Sequence, residues 1–253
     1  MQRVFLTGAS SGIGEALAHR YAELGASLGL VARRGEVLDT LRASLPHPER
    51  HRVYALDVND HQALQAAAQD FLAQHGGVDV VVANAGVSHG TLTEHAEDLP
   101  VFEQIMATNL LATVATFSPF VAAMRAQGAG RLVGIASVAG IRGLPGAAAY
   151  SASKAATISY CESLRVELHG TGVKVVTIAP GYIDTPMTQH NAYPMPFLMP
   201  AQKFARAAVA AIARGASYAV IPWQMGVVAK LLRLLPNWLY DAAFARAPHK
   251  ARK

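Results

Sequence analysis

Tyr150 and Lys154 stand four residues apart in the stretch Tyr150-Ser151-Ala152-Ser153-Lys154, a spacing that puts both side chains on one face of a helix. A free phenol titrates near about 10 and exchanges protons poorly at neutrality, but a neighbouring ammonium stabilises the phenolate. The pair therefore predicts a general acid and base: Tyr150 moves the proton and Lys154 supplies the charge. Taken alone the pattern is weak, because tyrosine and lysine meet at this spacing on many solvated helices. Ser137 closes the apolar run 131–137 with a hydroxyl, and Asn109 is a polar side chain within the long helical stretch 99–124. An asparagine in such a helix ordinarily satisfies backbone groups at a kink.

Elements that end near these residues must position them. Residues 3–7 read as a buried strand that runs into Thr7-Gly8-Ala9-Ser10-Ser11-Gly12-Ile13-Gly14, and 15–24 has helical periodicity. In a strand, turn and helix of this kind, glycines at 8, 12 and 14 let the backbone approach a pyrophosphate, whose charge the helix N-terminus favours. The spacing differs from the GxGxxG fingerprint, so its place between strand and helix carries the argument. The second strand, 27–32, delivers Arg33-Arg34 where an adenosine ribose would lie, with no carboxylate before Glu36. Arginine there favours NADP(H) over NAD(H), although exposed arginines also flank many helices.

Further strands are expected at 53–56, 78–83, 131–137, 173–179 and 218–222, alternating with helices at 35–45, 62–74, 99–124 and from about 150 to 168. The near-continuous apolar strands predict an α/β fold: a single-domain, Rossmann-type doubly wound parallel sheet flanked by helices, with a C-terminal amphipathic extension. A length of 253 residues suits one such domain, residues 1–253. Composition is that of a soluble globular chain, 52% hydrophobic and 15% charged. The net charge of +5 is scattered rather than gathered on a basic helix, which argues against nucleic acid. One cysteine, Cys161, leaves neither an internal disulfide nor a cysteine cluster for a metal, and no metal site is expected. The strand-like residues 4–6 directly after Met1 leave no room for a signal peptide, so a cytoplasmic setting is expected.

The constellation resembles the short-chain dehydrogenase/reductase family. The resemblance rests on TGASSGIG at 7–14, Asp57-Val58, Asn84-Ala85-Gly86, Asn109, Ser137, Tyr150 with Lys154, and Pro180-Gly181 followed by Thr185, and it covers about the first 220 residues. It implies that Tyr150 protonates or deprotonates the substrate oxygen, that Ser137 polarises it, and that Lys154 also holds the nicotinamide ribose. It further implies a relay water at Asn109, and Gly8, Ser10, Gly12, Ile13 and Gly14 around the pyrophosphate and ribose. Asp57 would lie at the adenine, Asn84 near the adenosine half, and Ile183 and Thr185 at the carboxamide, with Arg33 and Arg34 facing a 2′-phosphate. A small-molecule carbonyl or alcohol substrate and a homodimer or homotetramer are implied in the same way. A dehydratase or epimerase on the same fold is the runner-up among enzymes. From another class comes a catalytically silent NADP(H)-binding or membrane-associated sensor.

Two segments fall outside that pattern. Residues 187–200 form the variable substrate loop, apolar through Met187, Tyr193, Met195, Phe197, Leu198 and Met199 and kept from helix by three prolines. Such a loop lines a pocket for an apolar substrate or packs as a lid whatever the substrate. His89, His95 and His190 lie in or beside candidate substrate loops, where contact with substrate is the lesser expectation. Residues 223–253 carry an apolar run at 225–235 broken by Lys230 and Arg233, too short to span a bilayer. Packing on the chain's own core or on a second subunit is the favoured expectation for this extension, and peripheral membrane contact through 225–245 the lesser one.

Overall fold

A computed structural model describes residues 1–189, 191, 194–247, 250 and 252. His190 and Tyr193, named above, lie outside the described residues. Seven strands form one parallel sheet: β1 Arg3–Thr7, β2 Ser27–Ala32, β3 Arg52–Ala55, β4 Val80–Ala83, β5 Gly130–Ile135, β6 Val173–Pro180 and β9 Tyr218–Ile221. Their spatial order is β3-β2-β1-β4-β5-β6-β9, so the chain winds outward from β1 in both directions. The topology reverses between β1 and β4, and the carboxyl ends of these strands open the crevice where such sheets take ligands.

Successive side chains of a strand point to opposite faces, and here both faces are dry. Val4 and Leu6 of β1 and Leu28 and Leu30 of β2 join one core with helices α1 Gly12–Glu23, α2 Gly35–Ser44 and α7 Ala201–Ala213. Phe5 and Val31 point the other way, into a core with α3 His61–His75, α5 Ala112–Gln127 and α6 Ala148–Glu167. Burial on both sides is why these strands read as continuous apolar runs rather than as alternating ones. Cys161 of α6 belongs to the second core, where burial pushes its thiol up to about 11.

Several expected boundaries shift for local reasons. The strand expected at 78–83 is Val80–Ala83, and Asp79 just before it accepts the Arg3 amide and guanidinium through its carboxylate, each at 2.7 Å. The helix expected at 99–124 is α4 Leu99–Met106, a π-turn Ala107–Leu111 carrying Asn109, and then α5. Residues 96–127 are long and apolar enough by composition to cross a membrane. Phe117, Phe120 and Met124 nevertheless lie buried against the sheet. The helix α7 was not anticipated, although Phe204, Ala205, Ala208 and Ile212 give it a helical stripe that packs beside α1.

In 187–200, among the described residues, the chain forms no helix. It leaves through β7 Ile183–Asp184 and returns through β8 Met199–Pro200, which pair in parallel as a small clasp at the base of the loop. The C-terminal extension forms α8 Trp223–Leu234 and α9 Asn237–Phe244, and one side of it packs on its own chain.

Candidate active site

The first wall of the site is the turn after β1. Gly8 and Gly12 have φ of +67° and +59°, the left-handed region where glycine is favoured. A Cβ on Gly14 would stand 2.0 Å from the Gly8 carbonyl oxygen, so this glycine lets α1 close onto the turn. Gly14 packs behind the cavity lining rather than forming part of it. Across the reversal of the sheet, Asn84 holds the turn, its amide donating to the Thr7 and Gly8 carbonyls at 3.0 and 3.2 Å. The Thr7 hydroxyl accepts the amides of Asn84 and Ala85, each at 3.1 Å.

The crevice is a cavity of ≈ 340 Å³ lined by Gly8, Ser10, Gly12, Ile13, Arg33, Arg34, Asp57, Asn84, Ser137, Tyr150, Lys154, Ile183 and Thr185. One fold edge thus gathers residues spread along the chain from position 8 to position 185. At one end, the Arg34 guanidinium donates to the Ser10 carbonyl and hydroxyl at 2.9 and 3.0 Å. Arg33 reaches outward, 68% exposed, with Asp57 3.9 Å away. Asp57 is itself steered by Asn59, whose backbone and side-chain N–H groups donate to it at 2.9 and 3.0 Å. The cramped glycine turn and the apolar Ile13 and Ile183 fit a nicotinamide dinucleotide, with backbone amides for its pyrophosphate.

At the other end, Ser137 caps the short turn Val138–Gly140, its hydroxyl oxygen accepting the Ala139 amide at 3.1 Å. A Cβ on Gly140 would meet the Lys154 backbone at 2.6 Å, so a glycine here brings that turn flush against α6. Ser137 thereby comes beside Tyr150, in the first turn of α6, and pulls its phenol down. Lys154, one turn further on, is buried and donates to the Ile135 carbonyl at 2.8 Å, with its Nζ 5.8 Å from the Tyr150 ring centroid. Burial lowers the Lys154 ammonium to about 8. Burial pushes the Tyr150 phenol up, and only the Ser137 hydrogen bond opposes it. The lowering of Tyr150 by Lys154 anticipated from their spacing is absent, since the Lys154 Nζ is committed to the Ile135 carbonyl and lies 5.8 Å from the Tyr150 ring centroid.

Asn109 stands behind this group rather than in the cavity. Its amide oxygen accepts the Val87 amide at 2.8 Å, and its Nδ2 donates to the Val87 carbonyl at 3.0 Å and the Ser153 hydroxyl at 2.9 Å. Its own carbonyl, displaced by the π-turn, accepts hydroxyls from Thr113 and Thr157 at 2.9 and 3.3 Å. The side chain therefore clamps the loop after β4 to the catalytic helix, and backbone satisfaction at a kink is part of its work.

Thr7 and Ser153 lie inside the motifs at 7–14 and 150–154 without a spacing signal of their own, and nothing local marks Arg142. This guanidinium stacks 3.9 Å above the Tyr240 ring, donates to the Leu232 carbonyl and, at 2.8 Å, to the Leu235 carbonyl, while Tyr240 donates to the Gly143 carbonyl at 2.6 Å. The extension thus braces the loop between Ser137 and Tyr150. Beyond it, Arg252 grips Asp98 at 2.9 Å and Glu97 at 3.0 Å, and Lys250 donates to the Ser88 hydroxyl at 3.0 Å. Such pairings, 154 residues apart in the case of Arg252 and Asp98, leave no mark in local spacing. His95 lies between Glu94 and Glu97 at 3.8 and 3.5 Å, on the surface.

The family model for short chain dehydrogenases matches residues 2–194. A protein of Myxococcus xanthus named as an oxidoreductase is 40% identical over 245 residues, covering 95% of each chain. The chain is also similar to the 3-ketoacyl-(acyl-carrier-protein) reductase of Brucella melitensis complexed with NADH. That likeness has a TM-score of 0.79 and 25% identity and covers 87% of this chain and 96% of that one. Actinorhodin polyketide ketoreductase with NADPH is similar at TM-score 0.79 and 27% identity, over 87% of this chain and 95% of that one. The parallel sheet, the crevice at its switch point and these likenesses agree, and the chain belongs to the short-chain dehydrogenase family, oxidoreductases that act on CH–OH groups with a nicotinamide cofactor.

Proposed function

We propose that this enzyme interconverts a carbonyl and a secondary alcohol on an apolar substrate, uses NADP(H), and has Tyr150 as its general acid and base. The observation that carries the reading is one cavity with Arg33 and Arg34 at one end and Ser137, Tyr150 and Lys154 at the other. Structural neighbours were solved with NADH and with NADPH, so the family leaves the cofactor open and the two arginines support NADP(H). The nicotinamide cofactor, when bound, supplies or accepts the hydride.

In the reductive direction Ser137 donates a hydrogen bond to the substrate oxygen, and Tyr150 delivers its phenolic proton there as negative charge develops. Lys154, fixed by the Ile135 carbonyl, stabilises the phenolate that remains. The raised phenol suits this direction, because a proton held at neutrality is ready to be given. Gly8, Ser10, Gly12 and Ile13 would take the pyrophosphate, Asp57 and Asn84 the adenosine half, and Ile183 and Thr185 the carboxamide. Met187, which lines the cavity from the loop 187–200, supports an apolar substrate. Assembly as a homodimer or homotetramer in the cytoplasm belongs to the same reading.

The test follows NADPH absorbance at neutral pH with ketones and aldehydes of increasing chain length, in parallel with NADH and with Tyr150→Phe. Carbonyl-dependent loss of NADPH, reduced by about 10²–10⁴-fold in Tyr150→Phe with cofactor binding kept, is the expected result. NADPH binding without turnover of any compound would instead favour a cofactor sensor.

A further inference from the structure

We propose that α8 and α9 dock the enzyme on an anionic lipid surface. Trp223, Val227, Leu231 and Leu234 recur at helical spacing on one side of α8, and Trp238 and Leu239 add exposed apolar side chains in α9. All are solvent-facing: Trp223 is 70% exposed, Leu231 60%, Leu234 80% and Trp238 71%. A soluble monomer rarely leaves so many large apolar side chains of two neighbouring helices uncovered.

These helices have no freedom to turn that face inward. Met225, Gly226 and Ala229 are buried on the opposite side of α8, and Gly226 sits against Val220 of β9. Arg142 grips the C-terminal carbonyls of α8 while Tyr240 of α9 is buried over Gly143. The inner side is committed to the catalytic loop, and the outer side faces solvent.

Charge selects the occupant. Over 223–244 the charged side chains are Lys230, Arg233 and Asp241, and the two cations, both exposed, lie within the apolar stretch of α8. In a two-fold dimer the patch would meet itself, bringing four cations together against only two carboxylates, those of Asp241 in α9. A layer of anionic headgroups supplies that charge, tryptophans favour the interface between headgroup and acyl chain, and the apolar stripe enters the acyl boundary. The loop joining Ser137 to Tyr150 rests on the inner side of the same helices, so docking would set the substrate side of the site next to lipid.

The chain's two tryptophans are Trp223 and Trp238, both in this patch, so tryptophan emission reports on it alone. The full chain would be mixed with phosphatidylcholine vesicles made with and without phosphatidylglycerol, recording tryptophan emission and co-sedimentation. A blue shift and co-sedimentation with phosphatidylglycerol vesicles, weakened by salt and lost in Leu231→Glu/Leu234→Glu, is expected. Lys230→Gln/Arg233→Gln should abolish the preference for phosphatidylglycerol, and far-UV circular dichroism would confirm that both variants are folded. No shift and no co-sedimentation would overturn the proposal, as would binding that survives both substitutions. Vesicle-independent self-association that Leu231→Glu/Leu234→Glu disrupts would assign the face to a second copy instead.

Discussion

The two ends of the cavity are built differently. The cofactor end is closed by backbone and by one hydrogen-bonded side chain: a Cβ on Gly8 would meet the Asn84 Nδ2 at 2.8 Å and Ala85 at 2.9 Å, and one on Gly14 the Gly8 oxygen at 2.0 Å. The substrate end is assembled from loops braced by distant side chains, namely Arg142 on α8 and α9, Arg252 on Asp98, and the β7–β8 clasp. Gly143 in that end has nothing within 4 Å of the place a Cβ would occupy. One end must present the same surface to an invariant ligand, and the other is a frame on which side chains can vary.

Substituting glycine at each end is the severest way to break this contrast. Gly14→Ala forces the turn apart and should cost about 1–3 kcal/mol of stability, together with most NADPH affinity. Gly143→Ala should stay within about 0.5 kcal/mol in the same thermal-denaturation and cofactor-titration experiments. Equal losses would mean that the substrate loop is as tightly packed as the phosphate turn.

Removing the cations sharpens the account of the cofactor end. Arg33→Ala/Arg34→Ala should raise the KM for NADPH by about tenfold or more, the worth of a lost charged hydrogen bond, while leaving that for NADH little changed. A parallel loss with both cofactors would locate the arginines elsewhere than at a 2′-phosphate.

At the substrate end, Arg142→Ala releases the loop from α8 and α9. A several-fold rise in substrate KM with unchanged NADPH affinity is expected, together with a fall in Tm of a few degrees, the effect of roughly 1 kcal/mol. A change in NADPH affinity instead would show that the two ends are coupled through α6.

The smallest effect is on pH dependence. Burial lowers Lys154 to about 8, so between that pH and the ordinary lysine range the unfolded chain binds the extra proton. The penalty of the buried ammonium is full below about 8 and fades as pH rises, so stability gains with pH across that window. Lys154→Met removes the penalty, and its Tm advantage over the parent should shrink from about pH 7 to about pH 10. A constant difference would mean that Lys154 keeps an unshifted pKa.

Most of the cofactor end was legible in local spacing, because a glycine turn between strand and helix, and the residue types after β2 and β4, are set by short stretches of chain. The placement of Asn109 was half legible. Its helix was visible, but the π-turn that aims its amide at Val87 and Ser153 depends on a loop twenty-two residues away. The bracing of the substrate end was not legible at all, since Arg142 meets Leu235 and Asn237 across more than ninety residues. The extension shows the same limit, because which side of α8 packs on the core is set by β9 and Arg142, partners outside its own stretch.

By itself the sequence determined the order of the seven sheet strands and the parallel sheet, though not helix α7 or the break at Asn109, because periodicity and glycine placement act over a few residues. Tertiary structure decided which side chains are dry, which are clamped and which point outward. It is burial, a property of the whole packed chain, that raises Tyr150, lowers Lys154 and leaves Trp223 and Trp238 in solvent. Desolvation is summed over every neighbour a residue acquires on folding, and most of those neighbours are distant in sequence.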